Sequence, residues 1–115
     1  MDAGFFDVDE RPGERVVGVR GEVDIFNGPD FERALSMTDG DARELVVDLR
    51  QCRYIDSTAF GILVRKHQAL GGRMLVIVDP ASPIRRLFTI TRLDDYLHVV
   101  GDDVRGASRT PIKAV

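Results

Sequence analysis

Apolar and polar positions along this chain follow two rhythms, one of period two and one near 3.6, and together they lay out its elements. Near-alternate apolar residues in Gly4-Phe5-Phe6-Asp7-Val8 predict a short edge strand, and Arg11-Pro12-Gly13-Glu14 supplies a turn. Arg15-Val16-Val17-Gly18-Val19-Arg20-Gly21 then predicts a second strand, closing a hairpin. Gly21 to Gly28 reads as a connecting loop, and Pro29 opens a helix whose inward face carries Phe31, Ala34 and Leu35, with Asp39-Gly40-Asp41 ending the element. The uninterrupted apolar run from Leu45 to Leu49 predicts a strand buried on both faces. A helix after Ser57 aligns Phe60, Leu63, Val64 and Leu70, and Gly71-Gly72 stops it. Met74 to Val78 is a second central strand ended by Asp79-Pro80, and Ser82-Pro83 opens a helix with Ile84, Leu87 and Phe88 inward. A helical turn near Asp94-Asp95-Tyr96-Leu97 precedes a last short strand, Leu97 to Val100.

Strands alternating with helices after a hairpin predict an α/β fold, with helices mainly on one face of the sheet. Right-handed crossovers then bring the loop after Gly21 and the loop after Leu49 to neighbouring positions at one end of the sheet. The pattern runs to about residue 100 as a single domain. Residues 101–115 have little apolar periodicity and are expected to be a flexible tail.

Composition narrows the function classes. The 115 residues are 43% hydrophobic and 30% charged, an ordinary soluble globule. A net charge of -3 with scattered basic residues argues against a nucleic-acid footprint. No basic N-terminal region leads an apolar run, and no stretch is long enough to span a membrane, so a cytoplasmic protein is expected. Cys52, the only cysteine, is expected to be a small packing residue beside a strand end and excludes an intrachain disulfide.

The densest chemistry lies in Tyr54-Ile55-Asp56-Ser57-Thr58-Ala59-Phe60-Gly61, where a carboxylate and two hydroxyls meet a helix start. The first N–H groups of a helix lack intrahelical partners, so Asp, Ser and Thr serve there as caps. The same groups, with the positive end of the helix dipole, accommodate an added phosphate. No catalytic constellation accompanies Ser57: neither His67 nor His98 is beside it in sequence, and no GxSxG elbow or phosphate-binding glycine motif is present. No cofactor or metal is expected. Asp48, near the end of the Leu45–Leu49 strand, invites comparison with the phospho-accepting aspartate of receiver domains, but the late strand ends Val78-Asp79-Pro80 without the lysine which that pattern needs.

Asp56-Ser57-Thr58-Ala59-Phe60-Gly61-Ile62-Leu63, the upstream Gly21-Glu22-Val23-Asp24, the helix start Asn27-Gly28-Pro29 and Val47-Asp48-Leu49 occur in one order and spacing. In this the chain resembles the STAS domain, specifically the bacterial anti-sigma factor antagonists, from about Phe5 to Val100. The resemblance implies a mixed sheet of four to five strands with about four helices. It implies a protein that is not an enzyme but binds an anti-sigma factor, a serine kinase of the GHKL ATPase type, and so frees a sigma factor. By residue matching, phosphorylation falls on Ser57, with Thr58 as the weaker second choice, and a PP2C-type phosphatase resets it. Asp24, Phe26, Asn27, Asp56, Thr58, Ala59 and Phe60 are the residues expected to face the partner.

Each has a plainer reading. Asp56 or Ser57 serves as an N-cap alone, Thr58 as a packing residue, Asp24 as a solvated turn carboxylate and Phe26 as a lid on the core. Ala59 and Phe60 depart from the family's Gly-Leu, so Ala59 is strained if its φ is positive and harmless if it is helical. Arg92 stands where the family often has glycine. A STAS adaptor that is not phosphorylated, in a stressosome-type scaffold or a lipid-transport ATPase complex, and a small enzyme are the alternatives. Oligomeric state, a homodimer included, is left open.

Overall fold

The chain enters its sheet through a hairpin and then threads it strictly in sequence. The computed structural model describes residues 5–37 and 41–101. β1 (Phe6–Arg11) runs antiparallel to β2 (Glu14–Val23), and β2, β3 (Glu44–Ile55), β4 (Met74–Ile77) and β5 (His98–Val100) are parallel neighbours in the order β1-β2-β3-β4-β5. Each parallel pair needs a crossover, supplied by α1 (Gly28–Ala34), α2 (Ser57–Ala69) and α3 (Pro83–Ile90). A 3-10 turn, Leu93–Asp95, follows α3. The expected edge strand starts later than Gly4, which lies outside the described residues, as do Asp39, Gly40 and the tail from residue 102 on.

Alternation sorts the strand residues onto two faces. Val17, Val19, Leu45, Val47, Leu49, Cys52, Ile55, Met74 and Val76 meet Phe31, Leu35, Ile62, Leu63, Ile84 and Phe88 from the helical layer in one buried cluster. Phe31 stacks on Phe6, their ring centroids 5.6 Å apart, and ties α1 to the edge strand. A smaller cluster of Val16, Val46, Leu75 and Ile77 lies on the other face and draws on no helix residue. Asp48 belongs to that second face in mid-strand, opposite Ile77 on β4, and its carboxylate is bound by the Arg50 guanidinium at 2.6 Å. It is a paired structural carboxylate.

β2 and β3 both run further than the apolar pattern indicates. Leu45–Leu49 continues as strand to Ile55, and the stretch after Gly21 stays in the sheet to Val23. The reason is a pair of register shifts: Gly18 faces Asp48, yet Val23 faces Ile55, so β3 uses seven residues where β2 uses five. Bulges of this kind break the period of two. The inward positions of β3 become Leu49, Cys52 and Ile55, three apart, which no alternation rule detects. Cys52 is buried, its thiol donating to the Tyr54 carbonyl at 3.4 Å, and desolvation pushes the thiol up to about 11, so it packs and does not react.

Two helix ends show opposite solutions to one problem. After α2, Gly71 (φ 59) and Gly72 (φ 87) return their N–H groups to the Gln68 and His67 carbonyls, a left-handed stop that costs glycine little. After α3, Arg92 adopts φ 62 without being glycine. A left-handed side-chain-bearing residue costs about 1–2 kcal/mol, so Arg92→Gly is expected to raise stability by about 1 kcal/mol, read as a higher urea midpoint at unchanged slope. A lower midpoint would mean that the Arg92 side chain, near Asp95 at 3.6 Å, is worth more than the strain.

Candidate functional site

The two strand extensions end side by side and create the site. Val23 and Ile55 are the last paired residues of β2 and β3, and the Asp56 N–H then donates to the Val23 carbonyl at 3.2 Å. The loop after β2 and the start of α2 are thereby stitched together, at the sheet end where the crossover argument places them.

Asp56 has extended backbone and caps α2. Its carboxylate accepts from the Thr58 N–H at 2.9 Å and the Ala59 N–H at 3.4 Å. Ser57 is therefore the first helical residue and not the cap, and it is exposed. Ala59 is helical, fully buried and free of positive φ, so alanine here carries no strain and presents no surface. Phe60 is half-buried, its ring edge-to-face on Phe88 at 5.1 Å. Thr58 is half-buried as well: a Cβ built on Gly28 would stand 2.9 Å from the Thr58 methyl, so glycine is what lets α1 begin directly against α2. Because Asp56 alone holds the cap, Asp56→Ala is expected to cost about 1 kcal/mol and Ser57→Ala close to nothing, measured by urea unfolding. Equal costs would make Ser57 a cap too.

The neighbouring loop is a closed set of hydrogen bonds. One Asp24 carboxylate oxygen accepts from the Phe26 N–H at 2.9 Å and the Asn27 N–H at 3.2 Å. Asn27 returns the favour: its side-chain oxygen accepts from the Asp24 N–H at 2.8 Å, and its amide nitrogen donates to the Glu22 carbonyl at 2.8 Å. Asn27 is buried and Asp24 half-buried, so both hold the loop from within. Phe26 is 89% exposed and covers nothing, which rules out its reading as a lid.

Sequence reasoning missed Ile25, 66% exposed beside Phe26, and Tyr54, half-exposed just before the Ile55-Asp56 corner. The available signal was two consecutive large apolar residues in a segment without helical or strand period. His67 and His98 stand elsewhere: their rings are 5.7 Å apart, and His67 is ten residues along α2 from Ser57, about 15 Å at 1.5 Å per residue. No ionisable base is thus aimed at Ser57 from either histidine.

This arrangement has known counterparts. The family model of the STAS domain matches residues 5–107. The anti-sigma-B factor antagonist of Staphylococcus aureus (strain NCTC 8325 / PS 47) is 37% identical over 86 residues, covering 72% of this chain and 80% of that protein. Among solved structures, an anti-sigma factor antagonist from Mycobacterium paratuberculosis superposes with a TM-score of 0.71 at 28% identity, over 82% of each chain. The Bacillus cell fate determinant SpoIIAA in its phosphorylated form has the same fold, with a TM-score of 0.59 at 17% identity over 83% of this chain and 90% of that one. The chain belongs to the STAS domain family, in its anti-sigma factor antagonist branch.

Proposed function

We propose that this protein binds an anti-sigma factor that is also a GHKL-type serine kinase, frees the sigma factor, and is switched off when that kinase phosphorylates Ser57. A PP2C-type phosphatase resets the switch, and the cycle runs in the cytoplasm. The observation that carries the reading is the exposed Ser57 hydroxyl on a helix start whose cap is completed by Asp56 alone. The fold does not need Ser57, so a charge written there leaves the domain standing. Phosphorylation adds about -1.5 to -2 charges at neutral pH. Asp56 adjoins the new phosphate and already occupies the Thr58 and Ala59 N–H groups, so the dianion has less to satisfy it within the chain. Burying it against a partner then costs several kcal/mol, enough to reduce a tight complex to a negligible one. The switch is local and needs no backbone rearrangement.

The role as an antagonist in the curated relatives, and the phosphorylated state in which SpoIIAA was solved, are consistent with this reading. Its test is displacement: the unmodified chain, added to a preformed complex of sigma factor and anti-sigma factor, should release free sigma factor on gel filtration. Failure to displace any sigma factor from its anti-sigma partner would refute the antagonist role.

A further inference from the structure

Among the described residues, no large apolar side chain is more exposed than Phe26, and Ile25 beside it is 66% exposed. Large apolar side chains held out in water by an ordered loop mark interaction sites more often than ordinary surface. Here the loop is ordered by design of its own atoms. Asp24 and Asn27 exchange two hydrogen bonds, a third holds the Phe26 N–H on the Asp24 carboxylate, and a fourth ties Asn27 to the Glu22 carbonyl at the end of β2. Two of the three N–H groups spent in this cage belong to the tip, those of Phe26 and Asn27.

Resting on the reading above, we propose that Ile25-Phe26 is a preformed apolar knob that enters an apolar pocket of the anti-sigma factor, and that Asp24 and Asn27 are positioning residues which act through it. The occupant is argued from continuity. The knob sits on the same stitched corner as Ser57, since Val23 and Asp56 are hydrogen-bonded and Gly28, one residue past the cage, lies against Thr58. A partner that covers Ser57 therefore has the loop that carries the knob beside it. The corner also separates two tasks. The knob supplies binding through burial of an aromatic ring whose backbone is held in place beforehand, which lowers the ordering cost of association. Ser57 supplies only the means of refusing that association. One Asp24 carboxylate oxygen is directed at the loop's own N–H groups, and through it Asp24 acts on the knob.

The test uses the full chain and its purified anti-sigma factor in calorimetric titrations, with Phe26→Ala, Asn27→Ala and Asn27→Asp. Backbone relaxation measurements of residues 24–27 accompany them. Phe26→Ala is expected to weaken binding by at least tenfold at unchanged melting temperature, with residues 24–27 as ordered as in the wild type. Asn27→Ala is expected to loosen residues 24–27 and weaken binding while Phe26 is still present, and Asn27→Asp, which keeps the acceptor for the Asp24 N–H, to restore part of both. Wild-type binding with Phe26→Ala binding equally well overturns the knob and leaves the antagonist reading intact. Binding by no variant, wild type included, overturns the antagonist reading and the knob with it. A mobile 24–27 loop in the wild type overturns the preformed knob whatever the titrations show.

Discussion

Ser57→Asp is expected to abolish binding to the anti-sigma factor while unfolding like the wild type. An uncompensated charge buried at an interface costs about 3 kcal/mol or more, and each 1.4 kcal/mol is tenfold in affinity, so the loss should be about 100-fold or greater. The fold should not register the change. Ser57 is exposed at the first helical position, where a carboxylate meets the favourable end of the helix dipole, and the cap belongs to Asp56. The melting temperature is therefore expected to stay within about 2 °C, below what 1 kcal/mol produces in a domain of this size. Titration calorimetry and thermal unfolding of the same preparation separate the two readouts. A parallel loss of binding and stability would mean that Ser57 holds the corner together, and a charge there would then act by melting the site.

The second large effect is on stability. Leu63 sits on the inner face of α2, fully buried in the cluster that joins the helices to β3 and β4. Leu63→Ala is expected to destabilise by about 3 kcal/mol, in the lower half of the range for buried leucines that leave a cavity. At roughly 4–8 °C per kcal/mol for a small domain, the melting point should fall by more than 10 °C. The same variant should still bind the anti-sigma factor well below its transition, because the Asp56 cap and the 24–27 cage lie elsewhere. A fall of only a few degrees would show that α2 is held by its cap and ends rather than by its apolar face.

The two predictions draw on different depths of what was legible in the chain. The faces of α1 and α3 were readable from the 3.6-residue rhythm, since Phe31, Ile84 and Phe88 point inward as their spacing requires. On α2 the expected face of Phe60, Leu63, Val64 and Leu70 gives way to Ala59, Ile62 and Leu63 as the buried residues. The α2 stop was readable because Gly71-Gly72 does what only glycine does cheaply. Strand ends were not. The register shifts between β2 and β3 move the inward residues to Leu49, Cys52 and Ile55, and period-two reasoning ends the strand at Leu49. The consequence for the site is large, since it is the extension to Val23 and Ile55 that joins the Asp24 loop to Asp56. Ser57 stood out because a hydroxyl beside a carboxylate at a helix start has few structural uses. Which of the two residues capped the helix was settled only by geometry, and so were the strain-free helical setting of Ala59 and the exposure of Phe26. Side-chain exposure in a short polar loop depends on hydrogen bonds among Asp24, Asn27 and Glu22 that sequence spacing does not encode.

The claim that Ser57 is the switch is tested most directly by intact-mass spectrometry of the chain incubated with ATP and its anti-sigma kinase, with Ser57→Ala alongside. One added phosphate on the wild type and none on the variant is the predicted result. A phosphate that persists on Ser57→Ala, or a wild type left unmodified by a kinase that binds it stably, would contradict the account and leave a binding module whose switch lies elsewhere.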